Sequence, residues 1–389
     1  MKFKESPLKF CRDVRFHIQV LNSLLKVDDD NSNDNSEAWL KARNFYHNIS
    51  KELFYNQVAP IYDLYCKSIG ESQHRNIGLT KDGCYITFVG NEPYIFSGDI
   101  LGIARVTKGM NLDRFSIKIN LGMLYIISEI SILMGAVILN KTNFSELANY
   151  INKMKDFIKE NSDLEYENVN QTSPDMNIEY DKGKRYRTIN TASIIDAIGL
   201  HLEGSWNDED LNFISCLRNI IISFIVGHEF GHIMLNTENL QGVSFREQET
   251  AVKSFMNENN LPNINKSFLE EFICDSFGSK LSQYYVMHYY FDNEISRLVN
   301  KLNISNHLKN HVRFAPASSS ILLSRIASKS FLLSFSLFTD NHIKSTIHPN
   351  FSLRSEFLKY DMSNAGIPDD FINVGQEIDE LCQTLTLRN

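Results

Sequence analysis

The chain has 389 residues, with 47 acidic against 39 basic side chains and a formal net charge of −8. That length can bury a large core and admits one large domain or two. The acidic balance, without a dense Lys/Arg run or aromatics interleaved among basic clusters, argues against a nucleic-acid partner.

In chain order, residues 8–27 carry apolar side chains at helical spacing and predict an amphipathic helix, and residues 28–36 (DDDNSNDNS) predict a polar loop. A second helix is expected over residues 37–69. Residues 84–96 (CYITFVGNEPYIF) and 115–119 (FSIKI) alternate or are rich in β-formers, so they predict strands. Residues 121–139 (LGMLYIISEISILMGAVIL) are nearly all apolar and long enough to span a membrane. Glu129 sits near the centre of this stretch, two serines interrupt it, and no basic cluster flanks it closely. A buried core helix is therefore expected, with a membrane segment as the alternative. Glu129 would then need a polar partner or line a cleft. Residues 143–160 predict a further amphipathic helix.

Residues 169–186 (VNQTSPDMNIEYDKGKRY) are dominated by polar and turn-forming types and predict a long loop or domain connection. They divide the chain into a mixed N-terminal region, 1–185, and a helical region, 186–389, which has a second apolar stretch at 330–338. No internal repeat is present. The expected fold class is α+β, mainly helical, with a small antiparallel or mixed sheet on a helical core. Six cysteines, at positions 11, 66, 84, 216, 274 and 382, form no CxxC pair, which fits a reducing cytoplasm. The mixed charges of the first twenty residues do not read as a secretory signal, so a cytoplasmic location is expected.

The most informative stretch is VGHEFGH at residues 226–232, an HExxH motif preceded by the apolar run LRNIIISFIV at 217–226. On a helix, His228 and His232 project from one face, a spacing that lets two imidazoles grip one zinc ion. Glu229, beside the first ligand, can reach a water activated by that metal. By composition alone such a string arises by accident in roughly one chain in fifty of this length, so its surroundings decide. The buried-helix pattern around it and the small Gly231 inside it both favour a metal site.

A catalytic zinc needs three protein ligands. The extended metzincin motif would require Gly at 235 and His at 238, where this chain has Leu235 and Glu238. Downstream, SFLEEFICDSFG at 267–278 places Glu271 and Asp275 on one helical face among Phe272, Ile273, Phe277 and Leu281. Burying a carboxylate on such a helix is costly without a partner. Glu271 is the expected third ligand, with Glu270 and Asp275 as rivals. Asp275 can accept a hydrogen bond from the far ring nitrogen of a ligand histidine and fix its tautomer. Cys274 reads as a small buried hydrophobe.

HEFGH followed by ExxxDxFG resembles the gluzincin metallopeptidases, especially the clan of the CAAX prenyl proteases and the bacterial stress-induced membrane peptidases. The order HExxH, ExxxD and then HPNFSLR at 348–354 is that of the clan. The resemblance implies a zincin-like core and a zinc ligand set of His228, His232 and Glu271. It further implies that His348 stabilises the transition state near the metal and that Arg354 anchors its segment. His342, Tyr284, Tyr285 and His288 are competitors for that stabilising role, and ordinary packing or surface placement is favoured for each. Strand 115–119 reads either as an ordinary strand of the sheet or as the edge strand to which, in a zincin, a peptide substrate adds.

The expected function is a zinc-dependent endopeptidase hydrolysing an intracellular protein or peptide substrate by a Glu229-activated, zinc-bound water, with one Zn2+ as cofactor. A narrower resemblance is to the Lit-type phage-exclusion peptidases, which also carry HExxH in a soluble chain. The alternatives are a regulatory or interaction module with a silent or latent metal site, and an integral membrane peptidase.

Overall fold

The all-round apolar helices of this chain pack inside, and its amphipathic ones form the shell. The computed structural model describes residues 6–13, 37–61, 63–64, 84–89, 105–108, 115–141, 206–236, 243–261, 266–290, 292–302, 304–313, 316–338, 349–376 and 378–380. Helix α1 (Glu37–Leu53) runs into a π-helical turn at Phe54–Val58, and α2 spans Leu121–Ile138. The remaining helices are α3 (Asp208–Asn236), α4 (Val243–Glu258), α5 (Lys266–Tyr289), α6 (Asp292–Lys301), α7 (Asn306–Arg313), α8 (Pro316–Phe338), α9 (Phe351–Asn364) and α10 (Asp369–Ile372).

Helix α3 is the axis of the body and packs against α2, α5 and α8. It starts sharply because Asn207 and Asp210 cap each other. The Asp210 backbone N–H donates to Asn207 Oδ1 at 2.9 Å, and the Asn207 N–H donates to Asp210 Oδ2 at 3.2 Å. Asp208, Glu209 and Asp210 in the first turn also suit the positive end of the helix dipole. Helix α2 lies antiparallel to α3: Gly135 meets Ile214 and, six residues on, Lys141 pairs with Asp210 at 2.5 Å. Residues 127–138 of α2 are all buried, Glu129 included. Ser128 and Ser131 return their hydroxyl protons to Leu124 O and Ile127 O, so neither needs an outside partner.

One apolar cluster extends from Phe10 and Leu53 through α2, α3, α5 and α8 to Ile378. A smaller one forms where α4, α5 and α9 meet, built on Val252, Phe255, Phe272, Ile273 and Phe357. Among the described residues, one stretch, Asp208–His232 within α3, is long and apolar enough to cross a membrane, and 83% of its apolar window is buried in the body.

The expected α+β class is corrected. Among the residues whose packing is described, 87% are helical and none belongs to a strand. Backbone pairing does link Cys84–Val89 (β1), Arg105–Lys108 (β2) and Phe115–Asn120 (β3) into one three-stranded sheet. The described core clusters are built from helix faces. Of the two readings of 115–119, the edge role is ruled out. In the order β1-β3-β2 that segment is central, parallel to β1 and antiparallel to β2, so neither of its sides is open to a peptide.

Other expectations meet the structure in part. The helix expected over 37–69 is interrupted by the π-helical turn, and Gln57 in that turn is fully buried against Tyr285. The stretches 14–27, 65–69, 143–160 and 169–186 lie outside the described residues.

Candidate metal centre

The centre is made where α3 crosses α5, and glycine decides how close the two helices come. A Cβ on Gly227 would lie 3.0 Å from Gly278 Cα, and one on Gly231 would lie 3.0 Å from Cys274 Cα. A Cβ on Gly278 would sit 2.6 Å from Phe224 O and 2.9 Å from His228 N, closer than real contacts allow. The small residues recur at intervals of four on each helix, 227 and 231 against 274 and 278, so the backbones touch along a seam. The polar residues of the site flank this seam, which puts them within side-chain reach of one another.

His228, His232 and Glu271 converge into a group that can hold a metal ion, with one ligand atom from each lying within 4.8 Å of the others. His228 Nε2 is 3.2 Å from His232 Nε2 and 3.5 Å from Glu271 Oε2, and His232 Nε2 is 3.4 Å from Glu271 Oε1. His228 and Glu271 are buried, while His232 is partly open. Behind the group, His228 Nδ1–H donates to Asp275 Oδ1 at 2.9 Å. That bond commits the proton to Nδ1 and leaves Nε2 with a lone pair directed at the group.

Arg354, from α9, closes the back of the centre. Its Nε donates to Asp275 Oδ2 at 2.7 Å and its Nη2 to Asp275 Oδ1 at 2.6 Å, a two-pronged contact that fixes the carboxylate plane. Its Nη1 stands 3.2 Å from Glu271 Oε2, and its guanidinium lies 5.1 Å from the centre of the Phe351 ring. The 3.4 Å approach of Arg354 Nη2 to His228 Nδ1 brings two donors together because both seek Asp275 Oδ1.

These contacts set the charges. Burial pulls the His228 imidazole below its ordinary pKa, outweighing Asp275 and Glu271, so it is held neutral, as a ligand must be. Burial would raise Asp275, but the Arg354 charge and the hydrogen bonds from Arg354 and His228 keep it below the usual carboxylate range. Burial, reinforced by the nearby Glu271 charge, pushes Glu229 well above that range. Arg354 stays charged, since Asp275 and Glu271 outweigh its burial. The Cys274 thiol is raised far up by burial and packs against Gly231.

Among the rivals for third ligand, Glu270 turns outward, 3.5 Å from Lys266, and Asp275 faces Nδ1 rather than Nε2 of His228. His348 and His342 lie outside the described residues. Tyr284 and His288 are exposed, and His288 donates to Tyr284 O at 2.9 Å, while Tyr285 is buried in the main core. Pro349 is buried just ahead of α9, but Asn350 caps the helix, its Oδ1 accepting from Ser352 N at 2.8 Å.

No family model, curated protein or solved structure matches this chain.

Two features of the centre escape a sequence reading. One is the contact of Arg354 with the Glu271 carboxylate, 83 positions away, as well as with Asp275. The other is the glycine seam, whose only local signal is the four-residue spacing of Gly227 and Gly231.

Proposed function

We propose that the chain is a zinc-dependent endopeptidase of the gluzincin type, with His228, His232 and Glu271 as zinc ligands and Glu229 as general base. The observation that carries this reading is the ligand spacing. Donors bound tetrahedrally at about 2.0–2.1 Å stand roughly 3.3–3.4 Å apart. The separations here are 3.2, 3.4 and 3.5 Å. Two imidazoles and one carboxylate suit zinc better than an all-oxygen cation such as magnesium or calcium.

Charge supports the same fit. Among the described residues, the buried carboxylates of Glu271 and Asp275 face one guanidinium, that of Arg354, and Glu229 adds a third buried carboxyl. The excess is one negative charge, and two once Glu229 gives up its proton; a divalent cation offsets that charge, which would be costly to leave buried and uncompensated.

Zinc held there supplies a Lewis acid that polarises a scissile carbonyl and acidifies water. Glu229 takes a proton from the attacking water and delivers it to the leaving amine nitrogen as the C–O bond forms and the C–N bond breaks. Its place next to His228 in the sequence, buried beside the ligand group, suits a group that must both accept and return that proton. Asp275 keeps the His228 ring in the tautomer and orientation that ligation needs, and Arg354 holds Asp275 in turn.

The decisive experiment pairs metal analysis with turnover of an unstructured protein substrate. The wild type should hold one zinc and cleave. Glu229→Gln should hold zinc and lose at least about a thousandfold in rate, the scale of removing a general base together with its charge. A Glu229→Gln variant as fast as wild type would sink this mechanism.

A further inference from the structure

Helix α9 delivers Arg354, yet a second contact ties α9 to α5 beside the same aspartate. Ser276, adjacent to Asp275 and fully buried, donates its hydroxyl to Asp361 Oδ2 at 2.6 Å. Arg354 and Asp361 are seven residues apart, two helical turns, and so share one face of α9. Phe357 and Leu358 lie between them on that face, both fully buried, with the Phe357 ring 5.0 Å from that of Phe272 on α5. Glu356 and Lys359, on the opposite side, are exposed. The α5-facing stripe of α9 is thus polar at both ends and apolar in the middle. On α5 the two polar ends land on consecutive residues, Asp275 and Ser276.

We propose that Ser276 and Asp361 are a positioning pair for the metal centre. Their hydrogen bond fixes the height and roll of α9 on α5, so that Arg354 meets Asp275 with both prongs while reaching Glu271. A two-pronged guanidinium–carboxylate contact depends strongly on geometry. A small slide of α9 would turn the Asp275 carboxylate and, through it, the His228 ring. The role rests on the metal-centre reading of His228, His232 and Glu271. It assigns to Asp361, about 10 Å along α9 from Arg354, a part in the affinity of that centre.

The test is zinc affinity of the full chain, measured by competition with a chromophoric chelator, beside a thermal melt of each variant. Wild type should bind one zinc. Ser276→Ala and Asp361→Ala should each weaken binding about tenfold, at the low end of losses from removing outer partners of a metal ligand. The double variant should weaken it no further, because both changes break one contact. Asp361→Asn keeps an oxygen that can accept from Ser276 and should stay within about threefold of wild type. Tyr360→Phe removes a different tether of α9, the 2.8 Å bond to Glu258, and should leave affinity unchanged.

Asp361 is only half-buried, so its variants carry the test even if Ser276→Ala folds poorly. Asp361→Ala binding zinc as tightly as wild type, with only a lower melting temperature, would overturn the positioning role and leave the metal reading intact. Additive losses in the double variant would overturn it as well. A wild-type protein that binds no zinc would overturn the metal reading and the positioning role with it.

Discussion

Two buried aspartates sit near opposite ends of α3, and the cations they face separate a fastening from an orienting device. Asp210, at the start of α3, takes Lys141 at 2.5 Å and Lys301 at 2.9 Å, so it staples α2 and α6 to the helix. Asp275, packed near its other end, takes Arg354 through two bonds and His228 through one. An ammonium is a compact point charge that tolerates many approach angles, whereas a guanidinium imposes a plane. Flexible lysines therefore suffice to hold helices together, and aiming an imidazole calls for an arginine.

The largest expected effect is at the ligands themselves. His228→Ala and Glu271→Ala should each lose the metal altogether in metal analysis, while Asp210→Ala should retain it. Metal retained by both ligand variants would end the comparison, since Asp275 would then have no centre to orient.

Gly278→Ala comes next. The added Cβ meets two backbone atoms of α3, at 2.6 and 2.9 Å, and backbone cannot swing aside as a side-chain tip can. A loss of about 3 kcal/mol in denaturant unfolding, together with weakened zinc binding, is expected from overpacking a close helix crossing. Stability close to wild type would mean that the seam is looser than its contacts.

Asp275→Asn should then weaken zinc binding by about ten- to a hundredfold. Arg354→Lys should fall between Asp275→Asn and wild type, because lysine keeps the charge and loses the plane. Equal affinity for Arg354→Lys and wild type in the chelator assay would show that charge, not plane, is what Asp275 requires.

The smallest effect is at Asp210. Its lysines are about a quarter exposed, so Asp210→Asn should cost about 1–2 kcal/mol, less than breaking a fully buried pair, and leave zinc affinity unchanged. Burial would raise the Asp210 carboxyl, but hydrogen bonds from Lys141, Lys301 and the Asn207 backbone hold it below its ordinary value. A lowered folded-state pKa contributes stability that is present above the unfolded value, about 4, and is lost as pH falls through the folded one. Stability measured from pH 5 downward should therefore fall less steeply in Asp210→Asn than in wild type. Identical slopes would remove Asp210 from the account of acid sensitivity.

The local parts of the centre were legible because their spacing matches a helical turn. His228 with His232, and Glu271 with Asp275, are each four apart, and apolar neighbours mark both segments for burial. The choice of Glu271 over Glu270 was only ranked in the sequence. The structure decides it by the roll of α5, which turns Glu271 towards the imidazoles and Glu270 towards Lys266. The fold class misled for a related reason. Alternation in 84–96 and 115–119 reports what each segment can form locally, but not how large a share of the described packing is helical.

Sequence alone determined the donor types, their pairing along each helix and the chemistry they can support, since these follow from covalent order and the helical repeat. Only the tertiary structure decided that α3 and α5 touch along glycines, that Asp275 lies behind His228, and that Arg354 and Asp361 bracket the α9 contact from 79 and 85 residues away. Those juxtapositions come from packing between segments distant in the chain, whose angle and depth depend on which side chains are small at the crossing. A four-residue pattern cannot encode that.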